Sequence, residues 1–213
     1  MMAPSSGLGV FVTLDGPGGV GKSTVADLVC RLLRAHSVPV HATTEPSRTP
    51  LGKLAREGTE SVKGLAYACL IAADRYHHLD AEVRPELVAG KVVVCDRYVA
   101  SSLVLQRIDG VEPEAIRELN RRADRPDLSV ILTGDPEVIA RRLAARGAHS
   151  RYERIPGSSA REVELYAEAV EVLREAGFRT LVLDCTHAPP EVIAETIVGA
   201  VLELRTAAHA HTH

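Results

Sequence analysis

Cysteine is scarce in this sequence and forms no motif. Cys30, Cys69, Cys95 and Cys185 lie far apart, with no C-x-x-C spacing among them. A disulfide framework or a zinc site is typically marked by such close spacing, so neither is expected here. Each cysteine lies in an apolar run, which predicts four buried, reduced thiols.

Long apolar runs and an excess of basic charge are also missing. No stretch approaches the ~20 apolar residues that cross a bilayer. The opening segment MMAPSSGLG lacks the charged start and apolar core of a signal peptide. We therefore expect a cytoplasmic protein with no membrane partner. The net charge of −3 argues against a nucleic-acid partner.

Short apolar runs rich in β-branched residues recur along the 213-residue chain. They read VFVTLD, VPVHATT, KVVVCD, LSVILT and RTLVLD, and each is followed by a turn and by helical periodicity. This alternation predicts an α/β fold with a five-stranded parallel sheet flanked by helices. The expected helices are Lys22–His36, Pro50–Glu57, Ser61–Arg84 with a further turn to Ala89, Val99–Arg107, Pro113–Ala123, Pro136–Arg146, Ala160–Ala176 and Pro189–Leu204.

One domain is expected over residues 9–206, because no linker, internal repeat or low-complexity block interrupts that range. Residues 1–8 are expected to form a disordered N-terminus. Residues 207–213 are expected to form a disordered tail, in which His209, His211 and His213 alternate with other residues.

The segment TLDGPGGVGKST has the spacing G-x-x-x-x-G-K-[ST] between an apolar strand and a periodic helix. In such a loop, backbone N–H groups surround phosphate oxygens at a helix N-terminus. Lys22 is expected to reach the β- and γ-phosphates of ATP, and the Ser23 hydroxyl is expected to ligate Mg²⁺. The predicted ATP-binding residues are Gly16, Gly18, Gly19, Val20, Gly21, Lys22, Ser23, Thr24 and Arg146.

Charged residues follow the predicted strands, at the edge where open α/β sheets bind ligands. Asp15 ends the first strand, Glu45 follows the second, and Asp96 and Arg97 end the third. Asp96 is expected either to hold Mg²⁺ or to cap the next helix. Arg97 is expected either to clamp an anion or to form a salt bridge. Arg56 is expected to bind a second phosphate group or to face solvent.

The segment RRLAARGAHSRYERIPGSSAR is rich in arginine and interrupted by glycine, serine and proline. It predicts a mobile flap, which we call the LID, over residues about 147–159. An arginine over a transferring phosphoryl group can contribute about 10³–10⁵ in rate. The P-loop contains no arginine, so the LID would supply it. The candidates are Arg146, Arg151 and Arg154, and we favour Arg151.

The P-loop segment and three others resemble, in the same order, those of the thymidylate kinase family. The others are TEPSRTPLGKLAR, LIAADRYHHLDAEVRPELVAGKVVVCDRYVASS and RPDLSVILTGDPEVIARRLAARG. The resemblance covers about Val10 to about Ala176. It implies a homodimeric P-loop kinase with an arginine-rich LID, which transfers the γ-phosphate of ATP to dTMP with Mg²⁺.

The same resemblance implies roles for individual residues. Arg56 and Arg97 match arginines that clamp the acceptor phosphate, and Arg75 matches the arginine that binds the thymine base. The implied substrate-binding residues are Asp15, Glu45, Arg56, Ile71, Arg75, Arg97, Ser102 and Leu105. Taken together with the motif, the strand ends and the LID, the predicted catalytic residues are Lys22, Arg97, Arg151 and Asp15. The predicted metal ligands are Ser23 and Asp96, together with Asp15, which the resemblance places near the metal.

Two positions depart from the family pattern in the expected base pocket. Ile71 replaces a phenylalanine that stacks on thymine, and Leu105 replaces a tyrosine near the sugar. A stacked base contributes ~1–3 kcal/mol in nucleic-acid systems, so a modified or different pyrimidine nucleotide stays open beside dTMP. Two other functions also stay open: a deoxynucleoside kinase with Glu45 as general base, and a nucleotide-dependent switch without productive transfer.

Overall fold

The computed structural model of the protein describes residues 9–148 and 150–210. Within these residues the strands form one parallel sheet in the order β2-β3-β1-β4-β5. This confirms the predicted five-stranded α/β fold. The strands are β1 (Val10–Asp15), β2 (Val40–Thr44), β3 (Val92–Asp96), β4 (Leu128–Thr133) and β5 (Thr180–Asp184).

Helices connect the strands and flank the sheet. In the described part of the chain they are α1 (Lys22–Ala35), α2 (Pro50–Gly58), α3 (Gly64–His78), α4 (Arg84–Val88), α5 (Val99–Ile108), α6 (Pro113–Asn120), α7 (Pro136–Arg146), α8 (Ser158–Glu175) and α9 (Pro190–Ala210). A π-helical turn (Leu79–Val83) joins α3 to α4, and a 3₁₀ turn (Tyr152–Arg154) precedes α8.

Several helix boundaries differ from the sequence prediction, most of them by one to three residues. Helix α3 begins at Gly64, not at Ser61, because the N–H groups of Ser61 and Val62 bond to the carbonyl of Gly58 in a turn. Gly64 itself has a φ of 59°, which a helix cannot continue through. Helix α9 runs beyond Leu204 to Ala210, whereas residues 1–8 and 211–213 lie outside the described residues.

The core lies on both faces of the sheet, because alternate residues of each strand point to opposite sides. Val12 and Leu14 pack on the face covered by α1 and α9. Phe11 and Val93 pack on the other face, with residues of α5 and α8. Parallel strands buried on both faces explain the near-continuous apolar runs of the sequence.

The cysteines are free thiols in the described residues, but the prediction that all of them are buried is wrong for Cys69. Cys30, Cys95 and Cys185 are buried, whereas Cys69 is exposed on α3. Ala68 and Ala72 carry the buried face of that helix, and Cys69 points about 100° away from Ala68 at 3.6 residues per turn. The described helices include none that is both long and apolar enough to cross a membrane.

Candidate functional site

The loop between β1 and α1 wraps around the ammonium group of Lys22. The Lys22 Nζ donates hydrogen bonds of 2.7 Å to the carbonyl oxygens of Gly16 and Pro17. Gly16 has a φ of 148°, and a Cβ there would lie 2.4 Å from the carbonyl oxygen of Leu132. The loop therefore requires glycine to pass β4, and it leads directly into the N-terminus of α1.

The charge state of Lys22 is set by its surroundings. Burial lowers the pKa of Lys22 to about 7, and the positive charge of Arg97 acts in the same direction. The carboxylate of Asp96 opposes this shift. A buried ammonium group that meets no phosphate is therefore close to losing its proton at neutral pH.

Ser23 and Asp96 form a pair of oxygen ligands beside this loop. The Ser23 hydroxyl donates a 2.6 Å hydrogen bond to the Asp96 Oδ2, across the carboxyl ends of β1 and β3. The Asp96 Oδ1 is buried and has no hydrogen-bond partner among the described residues. Hard oxygen ligands with a lone pair left over suit Mg²⁺, so the residues present fit that ion.

Only one of the two carboxylate oxygens of Asp15 accepts hydrogen bonds in the described structure. Its Oδ1 accepts hydrogen bonds from the backbone N–H groups of Tyr98 (3.0 Å) and Ser101 (2.9 Å) and from the Ser101 hydroxyl (2.6 Å). Its Oδ2 is buried without a partner in the described structure. Burial raises the pKa of Asp15, although the bonds from Ser101 and Tyr98 oppose that shift. Asp15 thus fixes the start of α5 and leaves an oxygen for a ligand.

A cavity lies against α5, and we call it the α5 pocket. It is lined by Glu45, Pro46, Arg56, Thr59, Tyr67, Ile71, Arg75, Arg97, Tyr98, Ser101, Ser102, Leu105, Gln106, Ser150 and Tyr152. Every residue predicted to bind the acceptor lines this pocket except Asp15, which holds Tyr98 and Ser101 of its wall.

A buried ion pair forms the floor of the α5 pocket. Arg75 Nε and Nη2 donate to Glu45 Oε2 at 2.8 and 2.7 Å, and both side chains are buried. The remaining Glu45 oxygen lies 3.3 Å from His78 Nδ1, and Arg75 Nη1 donates to Asn120 Oδ1. The Arg75 guanidinium also lies 5.1 Å from the ring centroid of Tyr98. A buried charge pair needs this degree of hydrogen bonding to be tolerated.

The loop after β2 is locked in place by Asp74, which lies one residue before Arg75. Ser47, which is fully buried, donates its N–H to Asp74 Oδ2 and its hydroxyl to Asp74 Oδ1, both at 2.6 Å. Thr49 also donates to Asp74 Oδ1, at 3.3 Å, and caps α2. The segment EPSRT (residues 45–49) is therefore held against α3 beside the pocket.

Two arginines present cationic groups at the pocket. Arg97 adopts a left-handed φ of 75°, and its Nη1 donates to the Ser101 hydroxyl at 3.3 Å. Its guanidinium also interacts electrostatically with the carboxylates of Asp96, Glu162 and Asp15. Arg56 is exposed and donates to the carbonyl oxygen of Pro46. A non-glycine residue with a positive φ at the end of a strand is typical of a functional position.

Sequence reasoning missed Gln106, whose side chain is buried and whose Oε1 has no partner among the described residues. It lies one turn after Ser102 on α5, so the two side chains share a helix face and both line the pocket. The i, i+4 spacing from Ser102 was the available signal. A buried amide oxygen without a partner is available to accept a hydrogen bond from a bound ligand.

A further cavity lies on the opposite side of the P-loop, between α1 and the start of α9. It is lined by Gly19, Val20, Gly21, Thr24, Val25, Arg142, Cys185, Ala188, Pro190 and Ile193. Arg142, which sequence reasoning also missed, donates to the carbonyl oxygens of Cys185 (3.0 Å) and Thr186 (3.1 Å). This ties α7 to the loop after β5 and forms one wall of the cavity.

The LID arginines lie in different places from one another. Arg151 reaches the α5-pocket side, where it donates to the carbonyl of Val62 at 2.7 Å and pairs with Asp109. The structure thus does not bring Arg151 to the P-loop. Arg146 pairs with Glu153 at 2.8 Å, and a Cβ on Gly18 would lie 2.7 Å from the Glu153 Oε1. Arg146 is therefore the LID arginine beside the P-loop.

One carboxylate already touches the P-loop. Glu162 of α8 is buried, and its Oε2 accepts a 2.9 Å hydrogen bond from the Gly18 N–H. It also interacts with the charges of Lys22 and Arg97. The Gly18 N–H of this loop therefore donates to a carboxylate oxygen in the structure, as it would to a phosphate oxygen.

A parallel sheet with a lysine-containing loop at its carboxyl edge, and a cavity on each side of that loop, is the arrangement of a P-loop kinase with two substrate sites. The comparisons with known proteins agree. A model of the family described as thymidylate kinase matches residues 14–197.

Individual relatives cover nearly the whole chain. A probable thymidylate kinase of Pyrobaculum aerophilum is 36% identical over 189 residues, which is 87% of this chain and 93% of that protein. A thymidylate kinase of Thermomicrobium roseum is 35% identical, over 91% of this chain and 95% of that protein. One of Leifsonia xyli subsp. xyli is 36% identical, over 92% and 96%.

The chain belongs to the thymidylate kinase family. It is an ATP-dependent nucleoside monophosphate kinase of that family, and membership supports phosphorylation of dTMP. The family named by resemblance in the sequence is thereby confirmed.

Nucleotide affinity is expected to depend on pH through Lys22. The lysine is neutral above about pH 7 in the nucleotide-free protein, and phosphate binding requires its charged form. We therefore expect the affinity for Mg·ADP to fall between pH 7.5 and 9, by up to about tenfold per pH unit. Isothermal titration calorimetry measures this, and Lys22→Arg, which stays charged, should flatten the dependence. Constant wild-type affinity over this range would contradict the assignment.

Helix α2 packs closely on the loop after β2, so adding a single methyl group at Gly52 should strongly destabilise the fold. A Cβ on Gly52 would lie 2.0 Å from the Ser47 carbonyl oxygen, which is backbone and cannot move aside cheaply. Gly52→Ala should lower the free energy of unfolding by about 2 kcal/mol or more. Gly199→Ala on α9, with no atom within 4 Å, is the matched control and should be neutral or stabilising. Equal melting temperatures for the two variants would refute the close packing.

Proposed function

We propose that this chain transfers the γ-phosphoryl group of Mg·ATP to dTMP, with ATP at the P-loop and dTMP in the α5 pocket. The observation that carries this is the composition of that pocket. Side chains that can hydrogen-bond a base, Arg75, Ser102 and Gln106, line it together with Arg56 and Arg97, whose guanidinium groups can bind a phosphate. A nucleoside monophosphate likewise carries a base at one end and a phosphate at the other.

The base end of the pocket complements a thymine ring. The buried Gln106 Oε1 is an acceptor without a partner in the described structure, and thymine offers an N–H donor. Arg75 offers guanidinium N–H donors, and thymine offers carbonyl acceptors. Because the Glu45 carboxylate holds two of the Arg75 nitrogens, the guanidinium keeps one orientation. We infer that Arg75, Ser102 and Gln106 bind the edge of the base.

In this proposal, Arg97 binds the phosphate of dTMP at the end of the α5 pocket nearest the P-loop. The Arg97 N–H bonds to the Leu14 carbonyl of β1 at 2.8 Å, and its side chain lines the α5 pocket. It therefore stands between the acceptor phosphate and the P-loop. Lys22 reaches the donor phosphates from the other side. Phosphoryl transfer needs mainly such positioning and neutralisation of charge, because the protein performs little covalent chemistry.

Mg²⁺ would be held by Ser23 and Asp96, with the open Asp15 oxygen facing the same edge of the sheet. When bound, the ion neutralises charge on the donor phosphates. Arg146 is placed to contribute from the LID on the donor side. Arg151, which the sequence favoured for that role, would first have to leave Asp109.

The proposal includes a homodimer in the cytoplasm, which the family supports. Helices α2, α3 and α4 carry exposed apolar side chains, namely Leu54, Leu65 and Val88. Buried against a second copy, these side chains would be removed from water. A cytoplasmic location also suits an enzyme with reduced cysteines.

The deoxynucleoside kinase alternative is less well supported by the geometry. A general base on a 5′-hydroxyl needs a free carboxylate oxygen. Glu45 has one oxygen bonded twice to Arg75 and the other facing His78. We therefore assign Glu45 to holding Arg75 in place.

The test is an ADP-release assay with Mg·ATP and dTMP, dUMP, UMP, CMP, dCMP or thymidine as acceptor. We expect dTMP to give the highest kcat/KM. Arg56→Ala should lower kcat/KM for dTMP by roughly tenfold to a hundredfold, as for the loss of a charge-assisted phosphate contact. Arg121→Ala, whose partner is Glu118 on α6 outside the pocket, is the control and should be unaffected.

Two results would overturn the proposal. A preference for thymidine that Arg56→Ala leaves unchanged would indicate a nucleoside kinase. ADP release that no acceptor accelerates would indicate a nucleotide-dependent switch.

A further inference from the structure

We propose that Tyr67 is the aromatic wall on which the acceptor base packs, and that Arg151 is a positioning residue that holds this ring. The inference rests on the proposed function, because it concerns the ligand of the α5 pocket. It assigns the ring a role in acceptor specificity, in a pocket where Ile71 and Leu105 offer only aliphatic surface.

Tyr67 lies on the face of α3 that forms the pocket. Tyr67, Ile71 and Arg75 follow one another at intervals of four residues, so their side chains line up along one side of the helix. All of them line the α5 pocket. Arg75 presents its guanidinium to the edge of the base, and Tyr67 presents a ring two turns away. In the proposed arrangement a planar ligand is bonded at its edge by Arg75 and covered on its face by Tyr67.

The Tyr67 ring is held from its hydroxyl end. The Tyr67 hydroxyl lies 2.8 Å from the Thr59 Oγ1 and donates to the carbonyl oxygen of Ala55 at 3.3 Å. The residue is only 4% exposed. Tyrosine commonly combines such a bonded hydroxyl with a ring that offers apolar surface to a ligand. The ring therefore has little freedom to turn away from the pocket.

Arg151 covers the same ring from the LID. Its guanidinium carbon lies 5.0 Å from the Tyr67 ring centroid and 4.7 Å from that of Tyr152, so the cation is sandwiched between two rings. Asp109, at the end of α5, pairs with Arg151 and accepts a 3.0 Å hydrogen bond from the Tyr152 hydroxyl. Hydrogen bonds to backbone carbonyls, including that of Val62, fix the guanidinium further.

This arrangement explains the position of Arg151. A guanidinium held by an aspartate, two carbonyls and two rings acts as a structural tie. It joins the LID to α3 and α5 at the pocket and leaves the P-loop side to Arg146. Loss of Arg151 should therefore weaken acceptor binding through Tyr67, whereas loss of a phosphoryl-contacting arginine should mainly lower kcat.

The experiment measures steady-state kinetics with dTMP and ATP for Tyr67→Leu, Tyr67→Phe and the double variant Tyr67→Leu with Ile71→Phe. Stacking of a base on a ring is worth ~1–3 kcal/mol, so Tyr67→Leu should raise the KM for dTMP about tenfold or more. The KM for ATP should stay unchanged. Tyr67→Phe keeps the ring and should change the KM for dTMP little. Ile71→Phe places a ring one turn away on the same face and should restore binding in the double variant.

Tyr76→Leu is the matched control. Tyr76 is another tyrosine of α3, and its hydroxyl is bonded to the carbonyl of Leu119 and the N–H of Arg122 outside the pocket. If Tyr67 only supported the fold, Tyr76→Leu would raise the KM for dTMP as much as Tyr67→Leu does. If the base did not pack on this face of α3, Ile71→Phe would give no rescue. Either result overturns the proposal.

Asp109→Asn tests the part played by Arg151 and leaves the Tyr67 side chain in place. We expect a higher KM for dTMP with kcat nearly unchanged. A fall in kcat alone, or no change in KM, would return Arg151 to a role in transfer. Should Tyr67→Leu fail to fold, the two single variants Tyr67→Phe and Asp109→Asn test the proposal, which predicts a higher KM for dTMP in Asp109→Asn only. Failure of the proposed function appears separately, as a wild-type enzyme that does not use dTMP.

Discussion

The structure around the acceptor depends on the buried ion pair between Glu45 and Arg75. Each charge would be costly to bury alone, so the two elements that carry them, the loop after β2 and helix α3, have to stay together. His78 and Asn120 complete the hydrogen bonding of the pair from behind. The pair therefore gives the pocket its floor and holds the Arg75 guanidinium in one orientation there.

The sheet connects this pocket to the phosphate loop. Because β1 and β3 are adjacent and parallel, Asp15 and Asp96 reach the same edge, and Arg97 follows directly. Asp15 fixes the start of α5, whose later turns carry Ser102 and Gln106. The P-loop and the α5 pocket are thus built on the same edge of one sheet, and Arg97, which lines the pocket, is bonded to β1 just before the loop. Such positioning is what phosphoryl transfer requires of a protein.

The sheet and much of the site could be predicted because local patterns determine them. The glycine spacing marks the P-loop, and charged residues at strand ends converge wherever strands are parallel. Gln106 was marked locally only by its i, i+4 spacing from Ser102, whereas Arg142 and Tyr67 could not be found this way, because their contacts come from packing between separate elements. The same holds for Arg151, since its partner Asp109 lies 42 residues away in the sequence. Cys69 shows that an apolar run alone does not reveal which helix face is buried.

The most direct test of the account is a crystal structure of the chain with dTMP and Mg·ADP. The account predicts that the thymine edge lies within hydrogen-bond distance of Arg75 and Gln106, with the ring face on Tyr67. It also predicts that Arg97 contacts the dTMP phosphate between the base and the P-loop. A thymine ring away from α3, or a dTMP phosphate that does not contact Arg97, would contradict the account.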